Sequence, residues 1–215
     1  MASRRILVHG HRGARACFPE NTLAGFEYAI ALGVDAIEMD LILTPDGAIR
    51  ISHDYVRGPL PTLDDALALA PRGGFSFDLE LKCYAECGPP EDLAAMVIAR
   101  VEAHGLAARV TLMSFEFRAL AAAREIAPAI RRAALIEDGG QSFTDIPAGR
   151  VSPEWSLVTP ENVADAHAAG LQMIPWTANT PEQWQRLVDA GVDGIITDDP
   201  AALLTWLPDS FRSPR

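Results

Sequence analysis

The chain has 215 residues, 49% of them hydrophobic, and sets 18 Lys plus Arg against 29 Asp plus Glu for a formal net charge of −11. That length suits one domain with a sizeable core and leaves little for a second, so residues 1–215 are expected to form a single domain. The acidic balance argues against a nucleic-acid or anionic-membrane surface, and any anionic substrate must be met by a local cluster of positive charge.

No apolar run approaches the length of a membrane span, and the first five residues lead straight into a strand-like run instead of a signal-peptide core, so a soluble, cytoplasmic protein is expected. Cys17, Cys83 and Cys87 lack zinc-site spacing and are expected to be free thiols; a Cys17–Cys83 bridge between neighbouring loops is disfavoured for a cytosolic chain. Lys82 is the only lysine, the other 17 basic residues being arginine, which suggests that this position wants a compact ammonium.

In chain order, strand-like segments fall at residues 6–10, 36–43, 75–81, 109–115, 131–137, 155–160, 171–177 and 193–199. Helical stretches at 21–33, 62–70, 89–105, 116–127, 160–170 and 180–191 alternate with them, several opening on a cap or proline and closing on glycine. Residues 48–54 read as a small hairpin extension of the second strand, and 137–154 as irregular. Eight strands with crossover helices, and no glycine-rich nucleotide loop after the first strand, predict a single (β/α)8 TIM barrel.

In a barrel both faces of each strand are covered, so the charged side of Phe77-Asp78-Leu79-Glu80-Leu81-Lys82 must face the lumen. Glu80 and Lys82 then lie at the C-terminal mouth, with Asp78 deeper. The second strand repeats the pattern, Glu38 and Asp40 pointing inward while Ile37, Met39 and Leu41 point outward. Three convergent carboxylates cannot all stay ionised unaided, and one divalent cation between them, Mg²⁺, Ca²⁺ or Mn²⁺, removes the conflict. An ion-pair network with Lys82 is the purely structural alternative.

His11 and Arg12 at the end of the first strand, and His53 in the hairpin, bring two imidazoles and a guanidinium to the same rim. Arginine and lysine clamp phosphate oxygens and histidines move protons at neutral pH, so the set suits phosphoryl chemistry. His9 is read as a satisfied structural histidine, Asn21 as an N-cap, Glu20 as a backbone-bonding group, His104 and His167 as surface residues, and Trp155, Trp184 and Trp206 as packing residues.

Together, His11-Arg12-Gly13, Pro19-Glu20-Asn21-Thr22-Leu23, Glu38 with Asp40, Thr44 with Asp46-Gly47, His53-Asp54, Pro61-Thr62-Leu63 and Glu80 with Lys82 resemble the glycerophosphodiester phosphodiesterase family. Ser114-Phe115, Trp176-Thr177-Ala178-Asn179 and residues 193–198 resemble it more weakly. The resemblance implies a barrel hydrolase acting on a small phosphodiester. His11 and His53 match its acid and base, Glu38, Asp40 and Glu80 its metal ligands, Arg12 and Lys82 its phosphate contacts, and Trp176 an aromatic near the alcohol. Only Tyr55 to Leu60 stand where members commonly carry a longer insertion, which implies a short form with an open pocket. A lysophospholipase D or sphingomyelinase D activity, a Schiff-base aldolase using Lys82, and a non-catalytic phosphodiester-binding protein are the rival readings.

Overall fold

The computed structural model describes residues 5–55, 59–85 and 88–211. Its frame is a parallel ring of β1 (Leu7–Gly10), β2 (Ala36–Leu43), β4 (Ser76–Leu81), β5 (Val110–Ser114), β6 (Arg131–Ile136), β7 (Arg150–Pro153), β8 (Gln172–Met173) and β9 (Gly194–Thr197). Ladders run in the order β8-β7-β6-β5-β4-β2-β1-β9. Between β8 and β9 the ring closes through single hydrogen bonds, Asp193 N to Met173 O at 2.9 Å and Ile196 N to Pro175 O at 2.9 Å. The short β3 (Ile49–Ile51) pairs antiparallel with β2, as the hairpin reading expects.

Around the ring lie α1 (Leu23–Leu32), α2 (Leu63–Leu67), α3 (Pro90–Ala103), α4 (Phe117–Ile126), α5 (Pro160–Ala168), α6 (Pro181–Ala190) and α7 (Pro200–Trp206). Local chemistry sets their limits: Thr62, Thr159 and Thr180 form capping boxes with Asp65, Asn162 and Gln183. Gly33 and Gly191 close α1 and α6 at φ 83 and φ 89, a conformation that a Cβ penalises. Among the described residues, no helix is long and apolar enough to cross a membrane.

The period of two along each strand divides the molecule. Outward residues Ile37, Met39, Leu41, Phe77, Leu79 and Leu81 are fully buried under the helices and form the core, while Glu38, Asp40, Asp78 and Glu80 point into the lumen.

Three expectations need correction. The sixth barrel strand is β7, within the segment read as irregular, and Trp155–Leu157 is a 3₁₀ turn that the Glu154 side chain caps by accepting from Ser156 N at 2.8 Å. The strand was illegible because its inward residues, Arg150 and Ser152, are polar and only Val151 carries an apolar signal outward. Helix α7 was not anticipated; Asp199 caps it by accepting from Ala202 N at 2.9 Å. His104 is exposed, as the surface reading expects, with Nε2 2.9 Å from Asp64 Oδ1, whereas His167 is half-buried with Nε2 3.0 Å from Asp193 Oδ2. Cys17 is an exposed thiol with no bridge to Cys83, and Cys87 lies outside the described residues.

Candidate active site

Ladder register brings the distant motifs together. Asp40 pairs with Glu80, Glu38 with Asp78, and Gly10 with both Ile37 and Thr197, so the ends of β1, β2, β4 and β9 meet at one mouth. There a pocket of about 390 Å³ is lined by His11, Arg12, Glu38, His53, Glu80 and Lys82 on its charged side, and by Met113, Phe115, Leu135, Trp176 and Ile196 on the other.

One ligand oxygen each from Glu38, Asp40 and Glu80 lies within 4.8 Å of the other two, a set that could hold one metal ion. Burial, then the Asp40 and Glu80 charges, push Glu38 well above the ordinary carboxylate range. Burial and Asp40 raise Glu80 to about 7 against the opposing pull of Lys82. Asp40 is fully buried and its Oδ1 accepts no hydrogen bond from the described residues, although Lys82 Nζ stands 3.7 Å away. An orphaned carboxylate oxygen beside two carboxyls that resist ionisation fits a hard cation with all-oxygen ligands.

The two imidazoles are held alike. His11 Nδ1 is 2.6 Å from Asp198 Oδ1, and His53 Nδ1 is 2.7 Å from Asp54 Oδ1. A carboxylate can only accept, so each Nδ1 carries the proton and each Nε2 is left for the pocket. His11 Nε2 lies 3.9 Å from Glu38 Oε2. Burial works to raise Asp198, but the His11 and Asn179 hydrogen bonds and Arg15 bring it below its ordinary value, so it stays ionised. Asn179 Nδ2 donates to Asp198 Oδ2 at 2.8 Å, while its Oδ1 accepts from Asp198 N at 2.8 Å.

The cationic groups are embedded in carboxylates. Lys82 Nζ donates to Glu80 Oε1 at 2.9 Å. Arg12, at a left-handed φ of 49, sets Nε 3.1 Å from Asp40 Oδ2 and donates from Nη1 to both oxygens of Glu20 at 3.0 Å. Glu20 thus grips Arg12, and Arg15 Nε at 2.8 Å, correcting the expectation of a backbone role. Asn21 is corrected too. Thr22 is the α1 N-cap, whereas Asn21, buried at φ 58, donates from Nδ2 to Asp40 Oδ2 at 2.8 Å and accepts from Asp40 N.

The glycerophosphoryl diester phosphodiesterase family profile matches residues 11–58 and 55–202. A curated glycerophosphodiester phosphodiesterase of Bacillus altitudinis is 30% identical over 235 residues, covering 90% of this chain and 94% of the relative. This chain belongs to that family. A solved glycerophosphoryl diester phosphodiesterase homologue from Silicibacter pomeroyi DSS-3 superposes with a TM-score of 0.89 at 27% identity, covering 99% of this chain and 96% of that one. An Oleispira antarctica phosphodiesterase, solved with its product sn-glycerol-3-phosphate, shares the fold at a TM-score of 0.85 and 23% identity, over 93% of this chain and 96% of that one.

The two matched segments meet at residues 55–58, where this family member passes directly from His53-Asp54 towards Pro61-Thr62-Leu63; residues 56–58 lie outside the described set. The apolar wall of the phosphodiesterase pocket is an edge-to-face pair, the Phe115 and Trp176 ring centroids being 5.5 Å apart. Trp176 is oriented by donating from Nε1 to Ser152 O at 2.8 Å.

Sequence reasoning noted Asn179 and Asp198 only inside weakly matching motifs, without a role, and missed Tyr84, whose hydroxyl donates to the His53 carbonyl. The signal for Asp198 was its position at the end of the last strand, and only ring closure makes that strand a neighbour of His11. His9 is the satisfied residue expected, buried with Nδ1 2.7 Å from Asp78 Oδ2, while Arg150 grips the same carboxylate at 2.8 Å.

Proposed function

We propose that this chain is a single-domain, metal-dependent hydrolase that cleaves glycerophosphodiesters to glycerol 3-phosphate and an alcohol. The observation that carries the reading is the pairing of two imidazoles, each with Nδ1 on a carboxylate, around a pocket lined also by Glu38, Glu80, Arg12 and Lys82, with the fully buried Asp40 completing the carboxylate cluster.

One imidazole takes the proton of the glycerol hydroxyl next to the phosphodiester as that oxygen attacks phosphorus, and the other protonates the departing alcohol. The product of this half-reaction is a cyclic phosphate. Water then opens the ring with the two histidines exchanging roles. Asp198 and Asp54 hold the tautomers and oppose the charge as each ring becomes an imidazolium. Lys82 and Arg12 keep fixed positive charge beside the phosphoryl oxygens, and Trp176 with Phe115 bounds the space for the alcohol. Glu38, Asp40 and Glu80 would hold a divalent cation, which supplies further positive charge to the phosphate when bound.

The ion-paired state of Lys82 argues against Schiff-base chemistry. Burial acts to lower its pKa, but Glu80 and Asp40 raise it above the ordinary value, so the amine stays protonated and is a poor nucleophile. The exposed edge of Phe115 keeps a lysophospholipid within the substrate panel.

The test is glycerol 3-phosphate release from several glycerophosphodiesters and a lysophospholipid by metal-depleted protein, with Mg²⁺, Ca²⁺ or Mn²⁺ restored in turn. Turnover is expected with at least one cation and is expected to vanish in folded His11→Ala and His53→Ala. No release under any combination refutes the reading, and a folded, active single mutant removes that histidine from the mechanism.

A further inference from the structure

The barrel has a second mouth. On the side opposite the candidate active site, at the N-terminal ends of the strands, a cavity of about 450 Å³ reaches into the lumen. It exists because Ala36, Ser76 and Thr111 point inward at this level, where the fold ordinarily packs branched aliphatic side chains. An apolar septum of Met113, Ala133, Leu135, Ile174 and Ile196 stands between the two pockets.

The charge of this cavity runs against that of the chain. Arg5, Arg131, Arg132 and Arg150 line it against only Asp35 and Asp78, in a protein whose net charge is −11. Arg5 is paired with Asp35, and Arg150 with Asp78. Among the described residues, Arg131 donates to the Ala108 carbonyl at 3.1 Å and the Ser76 hydroxyl at 3.4 Å, and Arg132 to three backbone carbonyls. Arg132 alternates to the outward face of β6 beside Leu112, so the charge left at the mouth that no carboxylate among the described residues neutralises is that of inward-facing Arg131.

Deeper in, Arg150 is 5% exposed and uses only its terminal fork, Nη1 and Nη2 facing the two oxygens of Asp78 at 3.3 and 2.8 Å. Its Nε–H has no acceptor among the described residues. A guanidinium offers two bidentate edges, and the second, Nε with one Nη, matches an oxyanion as well as the first does. Nε is shut off from solvent by its neighbours, so a ligand would meet Arg131 and the exposed Gln172 first and gain Nε after a small shift of Arg150.

We propose that this mouth is a binding site for a small phosphate-class oxyanion, either inorganic phosphate or a phosphomonoester. A tetrahedral dianion neutralises the uncompensated Arg131 guanidinium and supplies acceptors for the Arg150 Nε–H and the Gln172 amide as well. The volume lies within the range of small-molecule sites and leaves room for the organic part of an ester. The site is independent of the phosphodiesterase chemistry at the other mouth, so the two proposals fail separately.

Calorimetric titration of the cation-loaded protein with inorganic phosphate, and in parallel with glycerol 3-phosphate, tests it. Arg131→Glu reverses one charge at this mouth and touches nothing in the active site. It is expected to weaken one binding event at least about tenfold, equivalent to about 1.4 kcal/mol, with phosphodiesterase turnover within about twofold of wild type. Arg150→Met is expected to do the same; where that variant fails to fold, Arg131→Glu together with Gln172→Ala decides. Phosphate binding that is unchanged in Arg131→Glu, or that disappears entirely in Lys82→Ala, overturns the proposal. Tighter binding of glycerol 3-phosphate at the Arg131-sensitive site assigns an ester as occupant, and tighter binding of phosphate assigns the free anion.

Discussion

Replacing Asp198 with Asn isolates what one carboxylate contributes to His11. Asp198 Oδ1 sits 2.6 Å from His11 Nδ1 and is itself braced by Asn179. The carboxylate fixes the proton on Nδ1, whereas a carboxamide can turn its NH₂ towards the ring and favour the opposite tautomer. Electrostatics adds to geometry. An imidazolium and a carboxylate with charge centres roughly 4 Å apart attract by about 4 kcal/mol at an effective dielectric of about 20. The Asp198 side chain is 19% exposed, so solvent screens part of this attraction. About 3–4 kcal/mol of transition-state stabilisation should remain, which is a loss of roughly 10²- to 10³-fold in kcat. Because Asn fills the same space, KM and the thermal midpoint should change little. Steady-state glycerol 3-phosphate release across pH 5–9, with circular dichroism as the folding control, reads both effects. An Asp198→Asn protein whose kcat stays within threefold of wild type would refute the orienting role.

Three further outcomes follow from the buried charges. Asn21→Ala removes the amide that holds Asp40 and places alanine at φ 58; a loss of about 1–3 kcal/mol in chemical denaturation and at least tenfold weaker divalent-cation affinity by calorimetry are expected, and unchanged affinity would show that Asp40 needs no brace. Asp78→Asn strands Arg150 in the lumen and should cost about 3–5 kcal/mol, much of it restored in the Asp78→Asn, Arg150→Met double variant. Asp78 is held far below its ordinary value, burial being outweighed by Arg150 and His9; the wild-type contribution is thus complete above about pH 4 and lost only as the pH falls below that. Glu80 has the opposite sign. Its folded value of about 7 lies above the ordinary 4.5, so without cation the folded state loses of the order of 3 kcal/mol as pH rises from about 4.5 through 7. Added Mg²⁺ or Ca²⁺ should recover that loss at pH 8 and little of it at pH 5, and thermal melts with equal cation effects at both would refute it.

What could be read from the sequence depended on whether a residue's meaning was local. Glu38, Asp40 and Glu80 were legible because each alternates with outward aliphatics on its own strand, and the barrel geometry then forces all three inward. The capped helices were legible for the same local reason. Strand β7 was not, since Arg150 and Ser152 replace the apolar inward residues that mark a buried strand, and the buried Arg150 is compensated by Asp78, 72 positions earlier. Asn21 precedes a helix as an N-cap would, and nothing local distinguishes that role from its actual bond to Asp40 across 19 residues. Asp198 is 187 positions from His11, and only the β1–β9 ladder makes them partners.

The division of labour between strand faces explains how one lumen holds so many charges. Stability is carried outside the ring, where the outward residues of β2, β4 and β5 pack against helices α1–α4 in one continuous apolar cluster. A lumenal carboxyl therefore displaces no part of that core, and its own unfavourable burial is the only penalty the fold must absorb. Glu38 and Glu80 bear that penalty as raised pKa values, whereas Asp78 avoids it through Arg150 and His9. Along β4 itself the two outcomes alternate, Asp78 ionised and Glu80 resisting ionisation. Asp78 is satisfied by Arg150 and His9, Glu80 and Glu38 accept from Lys82 Nζ and the Arg12 amide yet remain hard to ionise, and Asp40 Oδ1 has no donor among the described residues. An apolar replacement of near-equal volume at Glu80, such as Glu80→Met, should accordingly raise the thermal midpoint of the metal-free protein while abolishing turnover, because it relieves the charge conflict by removing the site that needs it.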